Sequence, residues 1–294
     1  MRIAVTGKSG QVALSLQRLA QEDPDLEVVP VGRPKLDLAV PASVASALQE
    51  ASPDLIVSAA AYTAVDQAED ERELAYALNS AGAEAVAREA GRLGVPLIHL
   101  STDYVFDGRK DGFYTEADTT RPRSVYGASK LEGEKQVQAV HPRAVILRTA
   151  WVYSPYGKNF VKTMLALAET RDEVNVVCDQ WGCPTYALEI ARGIKAAGQR
   201  IKEAGADAVA GTYHFTGSGQ ASWYDVTEEV FRCSSAYGGP VATVNAIQSS
   251  QFPTKAERPR NSRLDCSKFA DVFGYRAPDW RLSVKEVVRE LVGL

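Results

Sequence analysis

Arg2-Ile3-Ala4-Val5-Thr6-Gly7-Lys8-Ser9-Gly10-Gln11-Val12-Ala13 opens the chain and decides how the rest is read. An apolar β run ends at Thr6, two glycines follow, and helical periodicity begins at Gln11. Glycine at such a junction permits a tight turn, lets the backbone approach a pyrophosphate, and leaves helix N–H groups aimed at the anion. The spacing is Gly-x-x-Gly-x-x-Ala, and Ala13 is small enough for close helix packing. A purely structural strand-to-helix turn has the same look, but the position directly after a first strand favours a nucleotide site spanning Gly7, Gly10, Gln11 and Val12.

Outward from that turn, apolar runs at 3–6, 27–31, 55–58, 96–101 and 144–148 alternate with helical patterns at 11–21, 41–51, 71–91 and 126–140. This alternation predicts an α/β fold, a Rossmann-like doubly wound parallel sheet covered on both faces, with right-handed crossovers. The second half is less regular. Helices at 187–199, 223–231 and 284–291 and a strand at 211–215 predict a smaller mixed α/β substrate-binding domain. The expected division gives 1–155 to the dinucleotide, with 186–217 returning to that unit, and 156–185 with 218–294 to the substrate.

The 294 residues carry a net charge of −4, with 45% hydrophobic and 24% charged content. That balance gives no basic excess for nucleic acid or an anionic membrane. No stretch approaches a membrane span, and Met1 runs straight into a strand, so a cytoplasmic location is expected. Cys178, Cys183, Cys233 and Cys266 form no Cys-x-x-Cys pair, and the three histidines are scattered. The expectation is reduced thiols and no metal site.

Tyr126 and Lys130 stand four apart and share one face of a helix. Spacing alone equally fits a solvated amphipathic helix. After a nucleotide-binding start, the pair points to hydride chemistry on a carbonyl. The phenol would give the proton, and the ammonium would lower its pKa from about 10 and hold a ribose. At the end of the second strand, an NAD site usually carries a carboxylate. Here Gly32-Arg33-Pro34 stands instead. An arginine suits a 2′-phosphate, so NADPH is expected, with NADH also accepted. Lys8 assists in this reading, and Asp37 and Leu38 meet the adenine; a solvated loop is the alternative for Arg33.

Three further strings bring a family into view: Ala59-Ala60-Ala61-Tyr62-Thr63-Ala64-Val65-Asp66, Ser101-Thr102-Asp103-Tyr104-Val105-Phe106-Asp107-Gly108, and Arg148-Thr149-Ala150-Trp151-Val152-Tyr153. With the glycine turn and the Tyr126/Lys130 pair, they resemble the extended short-chain dehydrogenase/reductase superfamily, and within it the dTDP-4-dehydrorhamnose reductases. The likeness continues through Asn159-Phe160-Val161, Asp179-Gln180-Trp181-Gly182-Cys183-Pro184-Thr185 and Arg258-Pro259-Arg260-Asn261-Ser262. It implies NADPH-dependent reduction of the C4 ketone of dTDP-4-dehydro-L-rhamnose. Thr102, Asp103, Tyr126 and Lys130 are then the catalytic set, and Ala59, Ala60 and Ala61 line the cofactor. Val65, Trp151, Asn159, Gln180 and Arg258 join Thr102, Asp103 and Tyr126 at the substrate, with Arg258 on its diphosphate. A strand-end turn is the alternative for Thr102 and Asp103, and core packing for Trp151.

Some members of that family dimerise through a carboxylate-bound metal. Ala13-Leu14-Ser15-Leu16 offers no carboxylate on the first helix, so a monomer or weak homodimer without a metal bridge is expected. Related 4,6-dehydratases carry Thr-Asp-Glu where this chain has Thr102-Asp103-Tyr104. Another epimerase or reductase acting on a sugar nucleotide, and the non-catalytic regulatory subunit of methionine adenosyltransferase, remain alternatives on the same fold.

Overall fold

The computed structural model describes residues 1–293. One six-stranded sheet organises it: β1 (Arg2–Thr6), β2 (Glu27–Val31), β3 (Leu55–Ser58), β4 (Leu97–Thr102), β5 (Val145–Thr149) and β6 (Gly211–His214). The spatial order is β2-β1-β3-β4-β5-β6, and every neighbour is parallel. Strand order reverses between β1 and β3, the switch point where ligands of open α/β sheets bind at the carboxyl ends.

Period-two alternation explains why these strands are near-continuous apolar runs. Ile3, Val5, Val57, Ile98, Leu100 and Leu147 join the core under helices α1 (Gln11–Glu22) and α5 (Ala187–Ala204). Ala4, Ile56, Leu97 and Ile146 face the opposite layer of α2 (Pro41–Ala51), α3 (Gly82–Leu93) and α4 (Val125–Val140). The inner strands β1, β3, β4 and β5 are buried on both faces, which is what a parallel sheet demands, while β2 at the edge is mostly half-buried. The core under α1 and α5 runs on into Val174, Val176, Val226, Trp280 and Val284, so the late elements pack directly on the sheet layer.

Those late elements include the helices Phe160–Ala168, Trp223–Ala236, Ser267–Phe273 and Trp280–Val292. Glu173–Val177 pairs in parallel with Thr243–Ile247, and Trp181–Gly182 pairs antiparallel with Ala221–Ser222. The sequence patterns had not separated out the 173–177 and 243–247 strands or the helices at 160–168 and 267–273. The expected helix at 71–91 is not continuous. It breaks into Arg72–Tyr76, a π turn at Ala77–Ala81, and α3. The π turn aims Asn79 inward, where its Oδ1 accepts from Tyr62 N (2.8 Å) and its Nδ2 donates to Tyr62 O (3.0 Å) and Ser129 Oγ (3.0 Å). One inserted residue thereby ties the loop after β3 to α4. No helix among the described residues is long and apolar enough to cross a membrane.

Candidate active site

The glycine turn lies at the β1/β3 switch point. Gly7 has φ +96°, a conformation L side chains rarely adopt. Thr6 Oγ1 accepts from the amides of Ala59 and Ala60, both at 2.9 Å, which locks the ends of β1 and β3 together. Gly10 is the N-cap of α1 with no side-chain cap bond, and a Cβ there would meet nothing within 4 Å. The first amides of α1 are therefore left without a side-chain acceptor, as a pyrophosphate site requires. Val12 lies half-buried in that first turn. Gln11 turns toward the later chain: its Oε1 accepts from Ser154 Oγ (2.7 Å) and Asn159 Nδ2 (3.1 Å).

Arg33 is exposed at the end of β2, and its carbonyl accepts from Lys8 Nζ at 3.2 Å. Two cations thus gather beside the glycine turn. Asp37 caps its own turn through Oδ1 to Ala39 N (3.0 Å), and Leu38 is buried against Gly82.

Three elements meet at the catalytic edge. β4 ends in Thr102, followed by Asp103, and α4 starts beside them, capped by Ser124 Oγ accepting from Gly127 N (3.1 Å). Gly127 lets the first turn of α4 lie directly against the Tyr104 carbonyl, and Gly133 lets the helix lie against Asn79 O; a Cβ at either place would overlap backbone. Tyr126 and Lys130 therefore hang from a helix clamped at two points. Tyr126 packs edge-on against Tyr104, with centroids 5.6 Å apart. Burial raises its pKa above the usual phenol value, and the Thr102 hydroxyl beside it opposes the rise. The lowering expected from Lys130 is not found; that side chain turns its Nζ to Leu100 O at 2.6 Å. Burial pulls Lys130 down to about 8, against the pull of Glu134.

Thr102 Oγ1 donates to Asp103 Oδ1 (2.9 Å) and accepts from Tyr104 N (3.2 Å). Asp103 is 2% exposed; burial pushes its carboxyl up to about 6, against hydrogen bonding from Ser262 and Thr102, and Oδ2 has no partner. Behind this edge lies a network the sequence patterns had not singled out. Ser101 Oγ donates to Glu134 Oε1 (2.5 Å), and Arg148 forks onto both Glu134 oxygens at 2.9 and 2.7 Å. Ser101 and Arg148 face each other across β4 and β5, and Glu134 follows Lys130 by one turn. The i,i+4 spacing from Lys130 was the available signal; the arginine partner lay on another element.

The remaining predicted residues divide. Val65 is half-buried in the loop after β3, and the next residue, Asp66, accepts from Arg258 Nη2 at 2.6 Å. Arg258 Nη1 also reaches Tyr104 OH (3.2 Å), so this arginine stands next to the catalytic edge. Trp151 has φ +48°, stacks on Trp223 at 3.5 Å, and fills the space a Cβ at Gly182 would need. A bulky residue in that conformation is strained and persists only where surroundings hold it. Gln180 is half-buried beside Trp181. Asn159 caps the helix at 160–168 through Oδ1 to Lys162 N (3.1 Å) and spends its amide on Gln11 and Ser154 O. Its bonds make it a cap next to the glycine turn.

Comparison with known proteins shows the family and the fold. The family model described as RmlD substrate binding domain matches residues 1–292. A protein of Sinorhizobium fredii named dTDP-4-dehydrorhamnose reductase is 50% identical over 292 residues, covering 99% of this chain and 98% of its own. A dTDP-4-dehydrorhamnose reductase structure from Clostridium acetobutylicum superposes with TM-score 0.89 at 36% identity, covering 99% of both chains. One from Bacillus anthracis, in complex with NADP, gives TM-score 0.89 at 34% identity over 98% of this chain and 99% of its own. The chain belongs to the RmlD substrate binding domain family.

Proposed function

We propose that this chain is an NADPH-dependent oxidoreductase that reduces the C4 ketone of dTDP-4-dehydro-L-rhamnose to the alcohol of dTDP-L-rhamnose. The observation that carries the reading is Thr102, Tyr126 and Lys130 together at the sheet edge next to the Gly7–Gly10 turn, in a chain half-identical to a reductase of that name. Gly7, Gly10, Val12 and the uncapped start of α1 hold the cofactor diphosphate, with Gln11 fixing the turn. Lys8 and Arg33 meet the 2′-phosphate, Asp37 and Leu38 border the adenine, and Ala59–Ala61 leave room for the nicotinamide half. When bound, NADPH supplies the hydride that reduces C4.

Tyr126 gives the proton to the C4 oxygen as general acid. Burial keeps the phenol protonated until the C4 oxygen takes its proton. Thr102 orients the oxygen, and the Lys130 charge stabilises the phenolate left behind. Asp103 holds Thr102 through the bond between them. Val65, Trp151 and Gln180 border the sugar, and Arg258 turns from Asp66 to the substrate diphosphate. In the same reading, 1–155 with 186–217 serves the cofactor, and 156–185 with 218–294 serves the substrate. The protein works in the cytoplasm as a monomer or weak metal-free homodimer.

The test is loss of NADPH absorbance with dTDP-4-dehydrorhamnose, with NADH run in parallel. Turnover that requires the 4-keto sugar and favours NADPH supports the reading. No oxidation of either cofactor refutes it, and equal rates refute the role of Arg33.

A further inference from the structure

Lys130 and Glu134 stand one turn apart on α4, each only 3% exposed. A charge this deep is costly unless it is paired and hydrogen-bonded. Lys130 Nζ donates to Leu100 O at 2.6 Å, an acceptor that carries no net charge. Tyr126, one turn earlier, is held neutral by burial. His99 on β4 is held neutral by burial and by the Lys130 charge itself. The Asp103 carboxyl, just past β4, is pushed up to about 6 and is engaged with Thr102. Asn79 and Ser80 of the π turn packed on α4 are uncharged. Farther along the packed helices, Glu69 accepts from Val125 N, Glu84 and Glu89 pair with Arg88 and Arg92, and Arg72 and Glu73 are exposed. Glu134 is the group that raises Lys130 against burial.

Glu134 is itself held from two strands. Arg148 on β5 donates to both of its oxygens, and Ser101 Oγ on β4 donates to Oε1. Ser101 lies between Leu100, which takes the Lys130 bond, and Thr102 at the strand end. One carboxylate thus joins the helix that carries Tyr126 and Lys130 to the strand that carries Thr102. Stability alone gives no reason for such a pair, because apolar residues of similar volume in place of a buried ion pair are often neutral or stabilising.

Resting on the reductase reading, we propose that Glu134 is a positioning residue, which keeps the Lys130 ammonium charged one turn from the proton donor and ties α4 to β4 through Ser101. It acts through Lys130. A neutral side chain at 134 leaves Lys130 and Arg148 as two buried cations. The guanidinium keeps its proton in any protein setting, so the lysine is the one that gives way. An opposite charge close by moves a pKa by about 1–3. Burial already pulls Lys130 down to about 8 with Glu134 in place. Without that carboxylate, Lys130 is neutral over much of the range around pH 7 and no longer stabilises a phenolate.

The test is titration of Lys130 in the full chain by NMR of lysines labelled with carbon-13 at Cε, the signal assigned by its loss in Lys130→Met. Wild type, Glu134→Gln and Glu134→Leu/Arg148→Met are compared, with the pH profile of kcat as a second readout. Glu134→Gln strands Arg148; where that variant does not fold, the double variant, which removes both charges, carries the test. The expected wild-type midpoint is about 8. Lys130 is charged below its midpoint, so both variants should titrate at lower pH, Glu134→Gln by about one pH unit or more. The basic limb of kcat should move down with it. At pH 8 the charged fraction then goes from about one half to about one tenth, and kcat falls about fivefold. A purely structural role predicts that the double variant, once its stability is recovered, also recovers the wild-type titration and kcat profile; that result overturns the proposal. A wild type without turnover sinks the reductase reading and leaves the NMR titration to decide the role of Glu134. Normal turnover with an unmoved titration keeps the reductase and discards the role.

Discussion

Gly127→Ala separates positioning from stability at the catalytic edge. The added methyl points at the Tyr104 carbonyl, far inside the 3.0 Å that real Cβ atoms keep. Ordinary contact begins at 3.4 Å, so α4 and the turn at 103–105 must part by about 1 Å, a strain that costs roughly 1–3 kcal/mol in a packed interior. Alanine returns about 1 kcal/mol of helix propensity, since Gly127 lies within α4. The net loss of stability is on the order of 1 kcal/mol. Activity suffers more, because Tyr126 is carried by the displaced turn while Thr102 stays with β4. A misplacement of about 1 Å lowers a rate by about a hundredfold, or about 2.7 kcal/mol in barrier. The assay pairs denaturant unfolding with kcat on the 4-keto sugar nucleotide and a separate NADPH titration. A large fall in kcat with a small change in stability is expected. A kcat close to wild type in a stably folded variant refutes the claim that this backbone approach positions the proton donor.

Three further outcomes follow from the geometry. Gly10→Ala meets open space within the protein, so unfolding should be nearly unchanged while NADPH affinity drops about tenfold or more; intact affinity argues against a pyrophosphate at that turn. Glu134→Gln leaves Arg148 buried without its carboxylate, at a cost of about 3–5 kcal/mol, and the double variant Glu134→Leu/Arg148→Met should recover most of it; a single-variant cost under about 1 kcal/mol contradicts the network. Asp103 has a folded pKa raised by burial from 3.8 to about 6. The native state then holds the extra proton between those values, so this group's contribution falls as pH rises from about 4 to 6, by roughly 2–3 kcal/mol. Asp103→Asn should remove that slope in unfolding curves and gain stability at neutral pH; wild-type and variant curves that stay parallel across the window reject the assignment.

The sheet was readable because its inner strands are buried on both faces and so appear as unbroken apolar runs. The expected 27–31 and 55–58 match β2 and β3, and the other three early strands differ by a residue or so at an end. The strand pair at 173–177 and 243–247 was missed although Val174 and Val176 alternate with exposed positions, because the run is short and its partner lies about 70 residues away. The break in the helix at 71–91 depends on Asn79 finding the Tyr62 backbone, a tertiary bond that propensity does not encode. At the site, spacing picked out Tyr126 and Lys130, yet what fixes them came from packing. Gly127 and Gly133 read locally as weak points in a helix, and only the neighbouring Tyr104 and Asn79 carbonyls explain them. The Lys130 side chain illustrates the same limit: its charge suggested a lower Tyr126 pKa, and burial of the whole edge decided the sign.

The most direct test of the central claim, that Tyr126 protonates the C4 oxygen, is turnover and NADPH binding in Tyr126→Phe. The variant removes one hydroxyl and keeps the ring that packs on Tyr104. The expected result is NADPH affinity close to wild type with kcat lower by about 10²–10⁴-fold. Turnover near the wild-type rate with the same cofactor and sugar nucleotide contradicts it and moves the proton donor to another group.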